Sequence, residues 1–183
     1  MITPFPIDNV FTLDECRKII ATALLAPRVD AALVGGNRLS NIRRSENFWL
    51  DDAGAGTWIF RQLLKTIAAA NRAHFNFDLT EFLERMQVAR YDEAKSGFFD
   101  WHMDCGTGPL AAQRKLTIVV QLSEENGYDG GCLETNADGH IVTASRKIGS
   151  ALILPSFILH HVTPVTRGER YSLTLWAHGP GFR

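Results

Sequence analysis

The chain has 183 residues, 45% of them hydrophobic and 21% charged, which fits one soluble domain with a real core and excludes a disordered or fibrous chain. A formal net charge of −1 gives no bulk attraction to nucleic acid or to an anionic membrane, and no apolar run is long enough to cross a bilayer. Cys16, Cys105 and Cys132 make an odd set without a CxxC pair, and the first residues lack the charged and apolar regions of a signal peptide, so free thiols in the cytoplasm are expected.

Helical patterns come first. Thr12-Leu13-Asp14-Glu15 reads as a capping box, with Thr12 as N-cap. Cys16, Ile19, Ile20, Ala23 and Leu24 follow at helical spacing as one buried stripe, and Pro27 ends the helix. Val34-Gly35-Gly36-Asn37 reads as a loop or tight turn, and residues 41–50 as a short strand of poor periodicity. A second helix is expected over residues 57–72, with Phe60, Leu63, Leu64, Ile67 and Ala68 on its apolar face.

From about Glu84 the period changes to two. Met86, Val88 and Arg90 alternate with Gln87, Ala89 and Tyr91; residues 116–122 are strongly β-branched; residues 151–154 form a short apolar run. Tyr128-Asp129-Gly130-Gly131 breaks the pattern before a strand at residues 132–134, and Asn136-Ala137-Asp138-Gly139 carries the Asp-Gly hairpin signal. The last strand, residues 170–177, sets Tyr171, Leu173 and Leu175 against Arg170, Ser172, Thr174 and Trp176. Helices leading and short strands trailing make an α+β chain whose strands close into a sandwich or barrel, one domain over residues 1–183 with a helical part to about 80 and a strand-rich core from about 84 to 178.

Chemistry concentrates at Trp101-His102-Met103-Asp104. Two residues one apart on a strand share a face, so His102 and Asp104 offer an imidazole and a carboxylate to one cavity. An HxD triplet alone is common; a third ligand decides. His160 and His161 are adjacent and face opposite ways on a strand, so one of them can join, while His140 and His178 read as surface residues. Two imidazoles and a carboxylate leave coordination positions open on a non-haem iron(II). Arg170 shares its face with Ser172, and an inward guanidinium needs an anion, best a carboxylate held by its planar fork with a hydroxyl beside it. Arg167 reads as a surface residue.

HxD, then His-x-Val-x-Pro-Val, then Arg-x-Ser resembles the iron(II)/2-oxoglutarate dioxygenases of the prolyl 4-hydroxylase-like branch. The resemblance runs from the Phe11–Cys16 helix start to Pro180 and is most specific from Phe98 onward, through Phe98–Asp104, Tyr128–Gly131, Leu154-Pro155-Ser156 and Val162–Arg170. It implies a double-stranded β-helix (jelly roll) with N-terminal helices packed on one sheet. It implies His102, Asp104 and His160 as ligands of Fe(II), and Arg170 with Ser172 on the distal carboxylate of 2-oxoglutarate. Tyr91 stands where a family tyrosine meets that co-substrate. Gln121 is a candidate contact where many prolyl hydroxylases carry a tyrosine. The implied reaction hydroxylates an aliphatic C–H, of a prolyl residue or a free amino acid, with O2 consumed and succinate and CO2 released; ascorbate is a candidate reductant. Partners expected are a small molecule or a peptide, with no nucleic acid and no membrane. Trp101 and Trp176 are candidates for the cavity mouth, residues 105–114 and 33–44 for specificity, and Arg43 and Arg44 for an acidic substrate. Two rivals stand beside this reading. One is a non-catalytic jelly-roll module that binds a metal or small molecule. The other, weaker, is a zinc hydrolase, for which no HExxH glutamate is present.

Overall fold

The computed structural model describes residues 2–30 and 41–182, so the Val34–Asn37 turn and most of the 33–44 specificity segment lie outside the described residues. Helix α1 spans Leu13–Leu24 and starts at the expected capping box: Glu15 N donates to Thr12 Oγ1 (3.3 Å), and Thr12 N donates to Glu15 Oε2 (2.8 Å). Asp14 and Glu15 in the first turn also complement the helix dipole. The helix buries Cys16, Ile19 and Ala23, but Leu24, expected in the stripe, is 49% exposed because the helix ends there.

Helix α2 spans Thr57–Ala70 and buries Ile59, Leu63, Ile67 and Ala70. This face is rotated from the expected one. Phe60 packs edge-on against Phe82 at the margin (5.6 Å), and Leu64 is exposed. Instead of continuing to Arg72, the helix passes into a π-turn, Asn71–Phe75, closed by left-handed Asn76 (φ 53°). The Asn71 side chain holds both backbone groups of Phe77 (2.8 and 2.9 Å), substituting for the helical bonds lost there.

The strands are β1 (Phe5–Ile7), β2 (Arg28–Asp30), β3 (Arg43–Arg44), β4 (Glu46–Leu50), β5 (Met86–Asp92), β6 (Phe98–His102), β7 (Arg114–Gln121), β8 (Tyr128–Gly130), β9 (Leu133–Asn136), β10 (Ile141–Thr143), β11 (Ala151–Pro155), β12 (Leu159–Val162) and β13 (Val165–His178). Among the described residues they form two antiparallel sheets. The major sheet runs β1-β11-β7-β13-β5-β4-β2 with β8 also on β13, and the minor sheet runs β10-β9-β12-β6-β3. The α+β jelly roll expected from the sequence is the observed fold. The first 80 residues are less purely helical than expected, since β1, β2 and β4 extend the major sheet and β3 the minor one.

The major sheet is buried on both faces. Met86 and Val88 of β5, Leu116, Ile118 and Val120 of β7, and Leu173, Leu175 and Ala177 of β13 join the helices in one core. Their alternates Ala89, Tyr91 and Val119 face the minor sheet with Leu133, Leu154 and Val162. Tyr128–Gly130, read as a break, is itself a strand: it pairs with the early part of β13, which makes β13 longer than expected. The next strand then opens at Leu133, one residue later than expected. Asn136–Gly139 forms the expected hairpin, with Gly139 N donating to Asn136 Oδ1 (2.7 Å). The rotated face of α2 gives a direct contrast. Leu63→Ala should cost about 2–5 kcal/mol and Leu64→Ala under about 1 kcal/mol in urea unfolding, and equal costs would refute that packing.

Candidate metal centre

His102 closes β6, but Asp104 lies past the strand end, so the shared-strand geometry expected for the pair does not hold. Its position comes from other parts of the chain. Asp104 N donates to Ser156 O (2.9 Å), Thr117 Oγ1 donates to Asp104 Oδ2 (2.7 Å), and Arg114 donates to the Asp104 carbonyl (3.1 Å). His160 of β12 sits opposite His102 in register, with ring centroids 4.2 Å apart. The structure brings His102, Asp104 and His160 together, with one donor atom from each within 4.8 Å of the others.

Both imidazoles are oriented by backbone carbonyls. His102 Nδ1 lies 2.8 Å from Asp100 O and His160 Nδ1 lies 2.9 Å from Ile158 O. A carbonyl only accepts, so each Nδ1 carries the proton and each Nε2 turns its lone pair toward Asp104, at 3.7 Å for His102 and 3.5 Å for His160. Burial, aided by His160, pushes His102 down to about 4. Burial opposes ionising Asp104, yet His160, His102 and the Thr117 hydroxyl outweigh it and keep the carboxyl far below its usual range. At His160 burial is likewise outweighed, by Asp104, which raises the imidazole. A buried carboxylate beside two aimed imidazole nitrogens, with no thiolate, is a donor set that fits iron(II).

The other histidines part ways. His161 points to the opposite face, stacked on Trp101 (3.9 Å) and bonded to Glu134 (2.7 Å). His140 is exposed, as expected. His178, expected at the surface, is fully buried: it bonds Glu84 (3.0 Å) and accepts from Leu83 N (3.3 Å). Burial works against ionised Glu84, but His178 and Arg114 outweigh it and hold it at about 2.

A cavity of about 530 Å³ opens above the triad between the two sheets, and Tyr91, Ser172, Trp176 and Arg43 border it. Of the two tryptophans expected at the mouth, Trp176 lines the cavity; Trp101 is instead taken up by His161. Arg170 is 2% exposed and, among the described residues, pairs with no carboxylate. Its Nε donates to Gln121 Oε1 (3.1 Å), its Nη1 reaches Ser172 Oγ (3.5 Å), and its guanidinium lies 5.5 Å from the Tyr91 ring. Gln121 is held in turn by its Nε2 bond to Tyr128 Oη (2.8 Å). Gly131 explains the glycine pair before β9: a Cβ there would stand 3.0 Å from Arg170 Cδ. Arg167 is at the surface on Asp129 (2.6 Å). Thr117, Arg114 and Glu84 join the site without belonging to any motif evident in the sequence. Thr117 was findable, because it shares a β7 face with Gln121.

The profile of the 2OG-Fe(II) oxygenase superfamily matches residues 86–178, the stretch that holds the triad and Arg170. The chain belongs to that superfamily. A PKHD-type hydroxylase from Caulobacter vibrioides is 32% identical over 172 residues, 88% of this chain and 70% of that protein. A Synechococcus PKHD-type hydroxylase is 27% identical over 82% of this chain, which spans 66% of that relative's length. In fold, a Pseudomonas putida prolyl-4-hydroxylase superposes with a TM-score of 0.77 at 24% identity, covering 97% of this chain and 93% of that one. A Trichoplax adhaerens prolyl hydroxylase, solved with a hypoxia inducible factor peptide fragment, gives 0.79 at 18% identity, covering 97% and 84%. The expected iron(II)/2-oxoglutarate oxygenase is therefore borne out, a 2-oxoglutarate-dependent hydroxylase in class, and its likeness to the prolyl 4-hydroxylases lies in the fold.

Two outcomes follow from this geometry. Thr117→Val removes the hydroxyl that orients Asp104 and should weaken Fe(II) binding about 10- to 100-fold, measured by anaerobic equilibrium dialysis; unchanged affinity would count against that role. A carboxylate held at about 2 contributes its stability in full above its ordinary 4.5 and loses it as the pH falls through about 2. The stability gap between wild type and Glu84→Gln should therefore be widest above 4.5 and shrink toward 2 in a pH series of urea unfolding curves.

Proposed function

We propose that residues 1–183 form a single catalytic domain in which His102, Asp104 and His160 hold Fe(II), while Arg170 receives the distal carboxylate of 2-oxoglutarate. The observation that carries this is Arg170: a guanidinium 2% exposed, aimed by Gln121 and Ser172, with no carboxylate partner among the described residues. An unpaired buried cation is strongly destabilising, so an anionic ligand is the natural completion. Tyr91 and Ser172 border the main cavity and would contact the co-substrate between its two ends. Gln121 would hold Arg170 rather than the co-substrate, since both ends of its amide are engaged within the protein.

The metal and co-substrate together would supply oxygen activation, with succinate and CO2 as by-products. The chain's own residues would do the rest. Thr117 and the two backbone carbonyls fix the ligands, Arg170 sets the direction of the co-substrate, and the apolar walls at Val119, Leu133 and Val162 keep bulk water from the reacting C–H. The substrate is an aliphatic C–H of a prolyl residue or a free amino acid, a reading supported by the prolyl hydroxylases of the same fold. Ascorbate serves as reductant, and the cytoplasm suits three free thiols.

A non-catalytic binding module would bind the same ligands and release nothing. With Fe(II), 2-oxoglutarate and O2, succinate should form above background. Arg170→Gln should raise the KM for 2-oxoglutarate about 10- to 100-fold with far less effect on kcat, as expected for lost ground-state binding. Absence of succinate from wild type, with metal and co-substrate bound, would leave the binding module as the answer.

A further inference from the structure

A cation bordering the main cavity, Arg43, is explained neither by the metal nor by Arg170. Arg43, on β3, donates to three neutral and largely buried acceptors: Ser45 Oγ (2.7 Å), Asn47 Oδ1 (2.8 Å) and Gln87 Oε1 (2.8 Å). These use Nε and one terminal nitrogen; Nη1 has no hydrogen-bond partner, and no carboxylate pairs with the guanidinium among the described residues. The group lies over Phe99, 4.5 Å from its centroid, and Phe99 stacks on the ligand-forming His102 at 3.5 Å. The fork is thus aimed along the cavity wall beside the metal centre. Aiming a cation with neutral acceptors orients it without cancelling its charge.

An independent observation points the same way. Trp176 is 5% exposed and borders the same cavity, yet its Nε1–H has no acceptor. Buried indole N–H groups are normally bonded. The carboxylates bordering this cavity cannot serve either donor: Glu84 is taken by Arg114 and His178, and Asp104 faces the imidazoles and Thr117. The unused polar capacity at Arg43 and Trp176 is therefore donor capacity.

We infer that the substrate carries a carboxylate close to the oxidised C–H, held by Arg43, with Trp176 Nε1 donating to a substrate oxygen. This deepens the hydroxylase reading and rests on it, because it assumes that Arg170 is committed to the co-substrate. The carboxylate has three sources: a free amino acid, the C-terminus of a peptide, or an acidic side chain beside the target residue.

Matched acid and amide probes separate them. The full chain, loaded with Fe(II) and 2-oxoglutarate without oxygen, is titrated in a calorimeter with three pairs. These are L-proline against L-prolinamide, a Pro-ending peptide with free against amidated C-terminus, and an internal Glu-Pro against Gln-Pro peptide. In at least one pair the acid should bind and the amide should bind at least about 10-fold more weakly, and that pair names the source. Arg43→Gln should weaken that acid about 10- to 100-fold, Arg43→Lys should recover part of it, and Trp176→Phe should cost several-fold. The 2-oxoglutarate affinity of Arg43→Gln should stay within about 2-fold of wild type. The inference is overturned if no acid binds, if the amides bind as well as the acids, or if Arg43→Gln binds the acid normally. It is also overturned if Arg43→Gln, with native circular dichroism, loses 2-oxoglutarate instead. A wild type that binds no 2-oxoglutarate contradicts the underlying hydroxylase reading; acid against amide binding to the Fe(II)-loaded chain still decides the role of Arg43.

Discussion

Strands buried on both faces cannot spare either side of their period-two alternation, and the site of this protein depends on that constraint. On β7, Leu116, Ile118 and Val120 seal the helix-side core while Thr117 and Gln121 face inward toward the second sheet. On β13, Leu173, Leu175 and Ala177 do the first job while Ser172 and Trp176 border the main cavity and Arg170, at the same period-two positions, lines a smaller pocket beside it. A register slip of one residue would bury polar groups among the helices and put leucines at the site. The apolar half of each strand therefore fixes where the chemistry-bearing half points.

The cavity side concentrates charge whose compensation is incomplete among the described residues. Asp104 balances itself against two imidazoles, and Glu84 against Arg114 and His178. Arg170 and Arg43 are held only by neutral groups among the described residues. Such a site is costly empty and favourable when anions arrive, which is the physical form of preorganisation: the penalty is met in folding, so that binding need not reorganise the walls.

The sequence is legible where local physics decides. The Thr12 capping box, the β-branched run of β7, the Asn136–Gly139 hairpin and the opposite facing of His160 and His161 each depend on a few neighbouring residues. Failures came where distant partners decide. Asp104 leaves its strand because Ser156 and Thr117 hold it, and His178 is buried because Glu84, 94 residues away, claims its ring. The face of α2 turned because periodicity counts apolar residues and cannot tell Ile59, with a sheet beneath it, from Phe60, which finds Phe82 at the margin. Gln121 was visible as a substitution in a family pattern, but its tie to Tyr128 needed the fold.

Under the proposed function, a metal at the triad and a dicarboxylate reaching Arg170 would occupy one continuous site. Anaerobic visible spectroscopy tests it most directly. Fe(II) and 2-oxoglutarate added together should produce a charge-transfer band that neither produces alone, absent from Asp104→Ala and requiring far more 2-oxoglutarate in Arg170→Gln. A wild-type chain that binds both ligands without the band, or a band indifferent to both substitutions, would show that the triad and Arg170 do not form one site.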